Sequence, residues 1–195
     1  VVGFGARKLY EDDTGPKYLN SAETPVYHKS QVLYGLDLAK KDIVKRQEVV
    51  VVEGYTDVMA CHLAGITTAV ATCGTAFGDD HIRVINRLLG NTDVPASVIF
   101  TFDPDAAGAK AAMRAFADSV KFSAQTYVAV GPDGLDPSDL RQQRGDSAVV
   151  AMIESKKPLF EFAIRTQIAK FDLNTLEGRV AAARAAAVII ADIRD

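Results

Sequence analysis

An open, mostly parallel α/β sheet with helices on both faces is the fold class this sequence predicts, and three observations predict it. Short runs rich in β-branched residues recur through the middle of the chain, Glu48-Val-Val-Val-Val52 being the clearest. Stretches with helical spacing of apolar residues lie between those runs. Gly, Pro and acidic residues punctuate the joins. Strands alternating with helices of this length imply βαβ units. A short mixed segment precedes the sheet and a helical subdomain follows it.

Residues 1–28 mix Gly, Asp, Pro and aromatics without helical period, and Asp13-Thr-Gly-Pro16 is a turn signal, so this part reads as short strands and loops. From Ser30, read as an N-cap, apolar residues recur at Val32, Leu33, Leu36, Ala39 and Ile43 on one helical face. The period then changes to the Val run of 48–52, a strand buried on both faces. A helix is expected over 56–64, stopped by Gly65, then a strand over 67–72, a helix over 79–89 and a strand over 97–102. Another helix over 106–120 and a strand over 126–130 complete the alternation. Beyond Pro137 the pattern is helical, with helices over 148–154, 158–171 and 175–193. The expected division is 1–47, 48–145 and 146–195.

Composition narrows the class of function. A chain of 195 residues, 48% hydrophobic and 24% charged, holds one or two compact domains. Its formal charge of -3 rules out a global basic field, so any nucleic-acid contact must come from local patches. Cys61 and Cys73 have neither CxxC spacing nor a His partner, which argues for reduced core thiols and against a zinc site or a disulfide framework. No run approaches the roughly 18 apolar residues of a membrane span, and no leader opens the chain, so a cytoplasmic location is expected. The abrupt Val1-Val-Gly-Phe-Gly5 start and the Ala-rich end read as cuts from a longer chain.

Acidic residues fall where such a sheet puts its active site, beyond the carboxyl ends of strands. Glu53 closes the Val run, and Asp57 lies in the first turn of the next helix. Asp103 and Asp105 follow the 97–102 strand, and a separation of two points both side chains to one face of an extended chain. Asp136 and Asp139 follow the next strand. Clustered carboxylates repel and stay ionised only with cations, and an all-oxygen set selects Mg²⁺, with Mn²⁺ as its substitute. Taken singly, Asp57, Asp105 and Asp139 are better read as helix-terminus residues, whereas Glu53 and Asp103 cap apolar strands and need a partner.

Rival readings fail on particular residues. An EF-hand starting at Asp103 would place Ala107 and Arg114 at ligand positions, and a receiver domain needs consecutive acids after its first strand. Gly74-Thr-Ala-Phe-Gly78 lacks the Lys-Ser/Thr ending of a P-loop.

Glu53-Gly-Tyr-Thr-Asp57 after a Val run, with Phe102-Asp-Pro-Asp-Ala-Ala-Gly108 further on, resembles the Toprim domain of primases, topoisomerases, nucleases and recombination proteins. The flanks Gly3-Phe-Gly-Ala-Arg7, Pro16-Lys-Tyr-Leu-Asn-Ser21, His28-Lys-Ser30 and Leu33-Tyr-Gly35 are similar to those of DnaG-type bacterial primases. That resemblance implies Toprim-like architecture and RNA primer synthesis on single-stranded DNA by metal-dependent nucleotidyl transfer. It implies that Glu53, Asp103 and Asp105 carry the catalytic metals, that Asp57 and Asp136 assist, and that Arg7, Lys17, Asn20 and Lys29 contact template or nucleotide phosphates. Implied partners are single-stranded DNA, ribonucleoside triphosphates and, through a family domain not in this chain, the replicative helicase. Zinc belongs to another absent family domain, and a monomer is expected. Ala6 replaces a common second Gly of the family, and Ser138 stands where many members have Asp, which puts the outer metal ligand in question. Other Toprim chemistry, topoisomerase or nuclease, and a noncatalytic nucleotide-binding module are the alternatives. None of the six tyrosines sits in a recognisable cleavage motif.

Overall fold

The computed structural model describes residues 2–8, 10, 12, 14–16, 18–73, 76–90, 94–102 and 106–191, without the side chains of 106, 107 and 109. Asp103, Asp105 and Lys17, three of the site residues expected from sequence, lie outside the described residues.

The Val run forms β3 (Glu48–Val52), near the centre of a five-stranded sheet with β4 (Ala69–Ala71), β5 (Ser97–Thr101), β6 (Gln125–Ala129) and β7 (Lys157–Pro158). Strand order is β4-β3-β5-β6-β7, the first four strands parallel and β7 antiparallel to β6. After β3 the chain moves outward to β4, then returns to place β5 on the other side of β3. That reversal makes the gap between the carboxyl ends of β3 and β5 the topological switch point, where open α/β sheets bind ligands.

Strand alternation sorts side chains onto two cores. Val49, Val51, Val98 and Phe100 pack with Ile43, Ile85, Leu89, Ala115 and Leu159. These come from α1 (Leu36–Arg46), α3 (Asp79–Leu89), α4 (Ala106–Asp118) and α7 (Leu159–Ile168) on one face. Val50, Val52 and Ile99 turn the other way, against Val58, Cys61, Leu140, Val149 and Met152. Here the helices are α2 (Tyr55–Leu63), α5 (Pro137–Arg144) and α6 (Asp146–Glu154). Both β3 faces are covered, as a continuous Val run requires, each such side chain contributing roughly 1.5–3 kcal/mol on burial. Cys61 and Cys73 are buried free thiols, both pushed up to about 12, chiefly by burial. α8 (Leu176–Ala191) packs on α7. No helix among the described residues is long and apolar enough to cross a membrane.

Two details differ from the sequence reading. Ser30 does not cap a helix: residues Lys29–Gln31 make one 3-10 turn, Ser30 Oγ donates to Asp80 (3.1 Å), and α1 starts after Gly35, whose φ of 83° breaks the run. The two-residue edge strand β7 was also unforeseen, because Pro158 interrupts any strand pattern there.

Ahead of the sheet, β1 (Gly5–Arg7) and β2 (Tyr18–Asn20) pair as an antiparallel ribbon. The ribbon reaches the sheet through Asn20, whose Nδ2 donates to the Cys73 carbonyl (2.6 Å) and whose Oδ1 accepts from the Tyr55 hydroxyl. The Tyr55 ring stands edge-on to Tyr34 (4.6 Å between centroids) and Tyr18 (5.8 Å).

Candidate active site

Tyr18, Glu53, Asp57, Thr101, Phe102, and Leu135 to Pro137 with Met152 line a cleft over the switch point. Glu53 is exposed at the end of β3. Gly54 follows it because nothing larger fits: a Cβ there would lie 2.2 Å from the Tyr18 hydroxyl. The turn leads straight into α2, which carries Asp57 beneath the cleft, 3% exposed.

Asp57 is held by backbone amides. The Gly54 N–H donates to its Oδ2 (3.0 Å) and the Ser138 N–H to its Oδ1 (3.3 Å), so one carboxylate ties the β3–α2 turn to the start of α5. Burial first, then the negative charge of Asp136, push its carboxyl up to about 7. The two amide bonds pull the other way, and Glu53 adds a smaller upward push. The cleft thus concentrates negative charge that a cation would relieve.

Asp136 has two tasks. It is the N-cap of α5, its Oδ1 accepting from the Asp139 N–H (2.7 Å), and it lines the cleft as well. Asp139 is exposed and outside the cleft lining, in the first turn where a carboxylate favours the helix N-terminus. Among the described residues, no three acids or other donors stand close enough to form a ready-made metal cage. Glu53, Asp57 and Asp136 are nonetheless an all-oxygen set of the kind hard divalent cations take, and Thr101 and Phe102 at the end of β5 line the same cleft.

The cationic candidates lie on the ribbon side. Arg7 ends β1 and Lys29 starts the 3-10 turn, whose backbone is fixed by Glu23: its Oε1 accepts from the Lys29 N–H (2.9 Å), and its Oε2 lies 3.1 Å from His28 Nδ1. Asn20 sits between them and the acids, but both ends of its amide are engaged by Cys73 and Tyr55. Sequence reasoning had not singled out Tyr18, Tyr55, Thr101 or Met152. Tyr18 and Tyr55 lay inside the two motifs already quoted, which was the only available signal.

An open sheet carrying acids at its switch point defines a Toprim-type metal-dependent domain, and residues 47–130 match the Toprim domain family. Residues 1–40 match the family described as DNA primase catalytic core, N-terminal domain, and residues 160–195 that described as DnaB-helicase binding domain of primase. The DNA primase of Streptomyces coelicolor is 64% identical over 195 residues, covering 100% of this chain and 30% of the relative. The crystal structure of the RNA polymerase domain of Mycobacterium tuberculosis primase DnaG superposes with a TM-score of 0.88 at 51% identity, covering 100% of this chain and 62% of that one. The same domain in complex with a double-stranded DNA oligomer with a 6-nucleotide overhang gives 0.83 at 50% identity, covering 100% and 61%. The chain belongs to the DnaG-type bacterial primases, of which it spans the part described here. Membership implies use of a divalent metal. It also brings into this chain a segment described as helicase-binding, whereas the sequence reading had put helicase contact in a domain outside it.

Proposed function

We propose that this chain forms the catalytic part of an enzyme that makes RNA primers on single-stranded DNA during replication, joining ribonucleoside triphosphates. The observation that carries the reading is the convergence of Glu53, Asp57 and Asp136 on a cleft that Thr101 and Phe102, at the end of β5, also line. Mg²⁺ is the metal, with Mn²⁺ as a substitute; bound there, it supplies charge neutralisation at the triphosphate and acidifies the attacking 3′-hydroxyl.

Glu53, Asp103 and Asp105 hold the metal in this reading. Asp136 assists with the oxygen not engaged in capping. Asp57 positions the site, tying Gly54 and Ser138, the neighbours of the lining segments that carry Glu53 and Asp136, to one carboxylate. Tyr18 closes one wall. Arg7, Lys17 and Lys29 offer charged donors to template or nucleotide phosphates, and Asn20 holds the ribbon that carries Arg7. A division at 1–47, 48–145 and 146–195 would then separate ribbon, metal-binding sheet and helical platform. The match over 160–195 supports docking of the replicative helicase on the α7–α8 pair. The protein acts as a cytoplasmic monomer.

Labelled ribonucleotide incorporation on single-stranded DNA, in the full-length protein, tests the reading. Incorporation that requires the metal and falls at least 100-fold in Glu53→Gln is expected. Release of nucleotides from a labelled strand, without extension, would assign the site to a nuclease instead.

A further inference from the structure

The 3-10 turn over Lys29–Gln31 has three residues, none of them buried, and its second internal hydrogen bond, from the Val32 N–H to the Lys29 carbonyl, is long at 3.4 Å. Left to itself it would hold the Lys29 backbone loosely. Two carboxylates from elsewhere in the chain grip it. Glu23 Oε1 accepts from the Lys29 N–H (2.9 Å), and Asp80 Oδ2 accepts from the Ser30 hydroxyl (3.1 Å), a bond between residues 50 apart in sequence. Asp80 is itself aimed: its Oδ1 pairs with Arg83 Nη2 (2.7 Å), one turn further along α3, and its side chain is only 28% exposed.

The brace is continuous with the sheet core. His81, 1% exposed, lies against the backbone of Lys29 and Val32, and its ring stacks on Phe77 (5.5 Å between centroids). Phe77 in turn meets Phe100 of β5 edge-on at 5.2 Å. Packed rings thus run from the centre of the sheet to the turn that carries Lys29. Helix-end electrostatics does not explain this arrangement, because Asp79 stands at the same end with the same charge and pairs instead with Lys121 (2.6 Å). Among the described residues only Asp80 joins that end to Ser30.

We propose that Asp80 is a positioning residue for primer synthesis: through Ser30, and with Glu23 on the Lys29 amide, it fixes the turn from which Lys29 reaches phosphate. The Lys29 ammonium sits on a flexible four-carbon stem, so the place where it can meet a phosphate is set by where its backbone is held. Asp80 acts only through Lys29. Its role rests on the proposed function in taking Lys29 as a phosphate donor.

Steady-state incorporation of labelled ribonucleotides by the full-length protein, with KM measured for nucleotide and for template, tests it. Whichever KM Lys29→Met raises should also rise in Asp80→Ala and in Ser30→Ala, by about 3- to 10-fold, the size of one hydrogen bond's net contribution. The double variant Asp80→Ala with Ser30→Ala should do no worse than either alone. Asp80→Asn keeps an oxygen that accepts from Ser30 and should restore the KM, whereas Asp79→Ala should leave it at the wild-type value. In a Lys29→Met background Asp80→Ala should add nothing, which a merely structural role would not produce. A wild-type KM in Asp80→Ala, an equal rise in Asp79→Ala, or an Asp80→Ala effect undiminished in Lys29→Met would overturn the proposal while leaving Lys29 a phosphate donor. An unchanged KM in Lys29→Met itself would withdraw the donor role of Lys29 and the proposal with it.

Discussion

The five-stranded sheet and the β1–β2 ribbon are built on opposite terms. In β3 and β5 nearly every side chain is buried on one of two cores, and neither core includes a residue of the ribbon. The ribbon has no core of its own: Phe4 is 79% exposed and Leu19 65%. Among the described residues, its hold on the sheet includes the Asn20 amide, the Tyr18 and Tyr55 rings and the clearances left by Gly5 and Gly54. The lesson is one of division of labour. The acids Glu53, Asp57 and Asp136 sit on the well-packed part, while Arg7 sits on the part tied by a few local contacts.

Replacing a core ring should break the sheet and everything with it. Phe100→Ala removes a fully buried side chain that packs against Phe77, Phe102 and Phe122, and a loss of about 3–5 kcal/mol is expected in urea unfolding. A loss under about 1 kcal/mol would mean that this core face is not what stabilises the molecule.

Gly54→Ala sharpens the comparison at the seam. Its new Cβ would clash with the Tyr18 hydroxyl, so the ribbon must shift; we expect about 1–3 kcal/mol of strain and at least a 10-fold fall in nucleotide incorporation. Normal activity would show that the close approach of Tyr18 is dispensable. Asn20→Ala should cost about 1 kcal/mol or less globally, yet strip hydrogen-exchange protection from β1 and β2 while leaving β3 and β5 unchanged. Uniform loss of protection would contradict the division drawn above.

The smallest effect is on acid stability. Burial holds His81 below its ordinary value; its Nδ1 accepts from the Gly78 N–H (3.3 Å), and its ring lies against the backbone of Lys29 and Val32, with Asp80 the neighbouring charge. A folded value below 6.5 means that the unfolded chain takes up the proton first. Its contribution is therefore complete above the unfolded value and is lost as pH falls below 6.5. His81→Gln should flatten that part of the stability–pH curve, and an unchanged curve would remove His81 from the account.

How much of this was legible in the sequence follows from what is local. β3 was plain because four consecutive valines with no polar alternation fit a strand buried on both faces. The 79–89 helix was read to the residue, since Gly78 and Gly90 mark both ends. The candidate acids were legible as strand-end residues, but the motif could not reveal that Asp57 spends both oxygens on backbone amides or that Asp136 is a helix cap before it is anything else. The Tyr18–Tyr55–Asn20 seam joins positions far apart in the chain, and no periodicity announces it. Ser30 misled because a good capping residue was followed by Gly35 in a left-handed turn, which delayed the helix.

The central claim is that the cleft at the switch point holds a divalent metal through Glu53. Titration of Mn²⁺ against the protein, with the free ion counted by electron paramagnetic resonance, tests it without nucleotide or template. The account predicts that Glu53→Gln weakens Mn²⁺ at least 10-fold while the melting temperature holds or rises, because one of several repelling acids near Asp57 has been neutralised. Unchanged Mn²⁺ affinity in Glu53→Gln, or a sharp fall in melting temperature with metal binding intact, would contradict it and make Glu53 a structural residue.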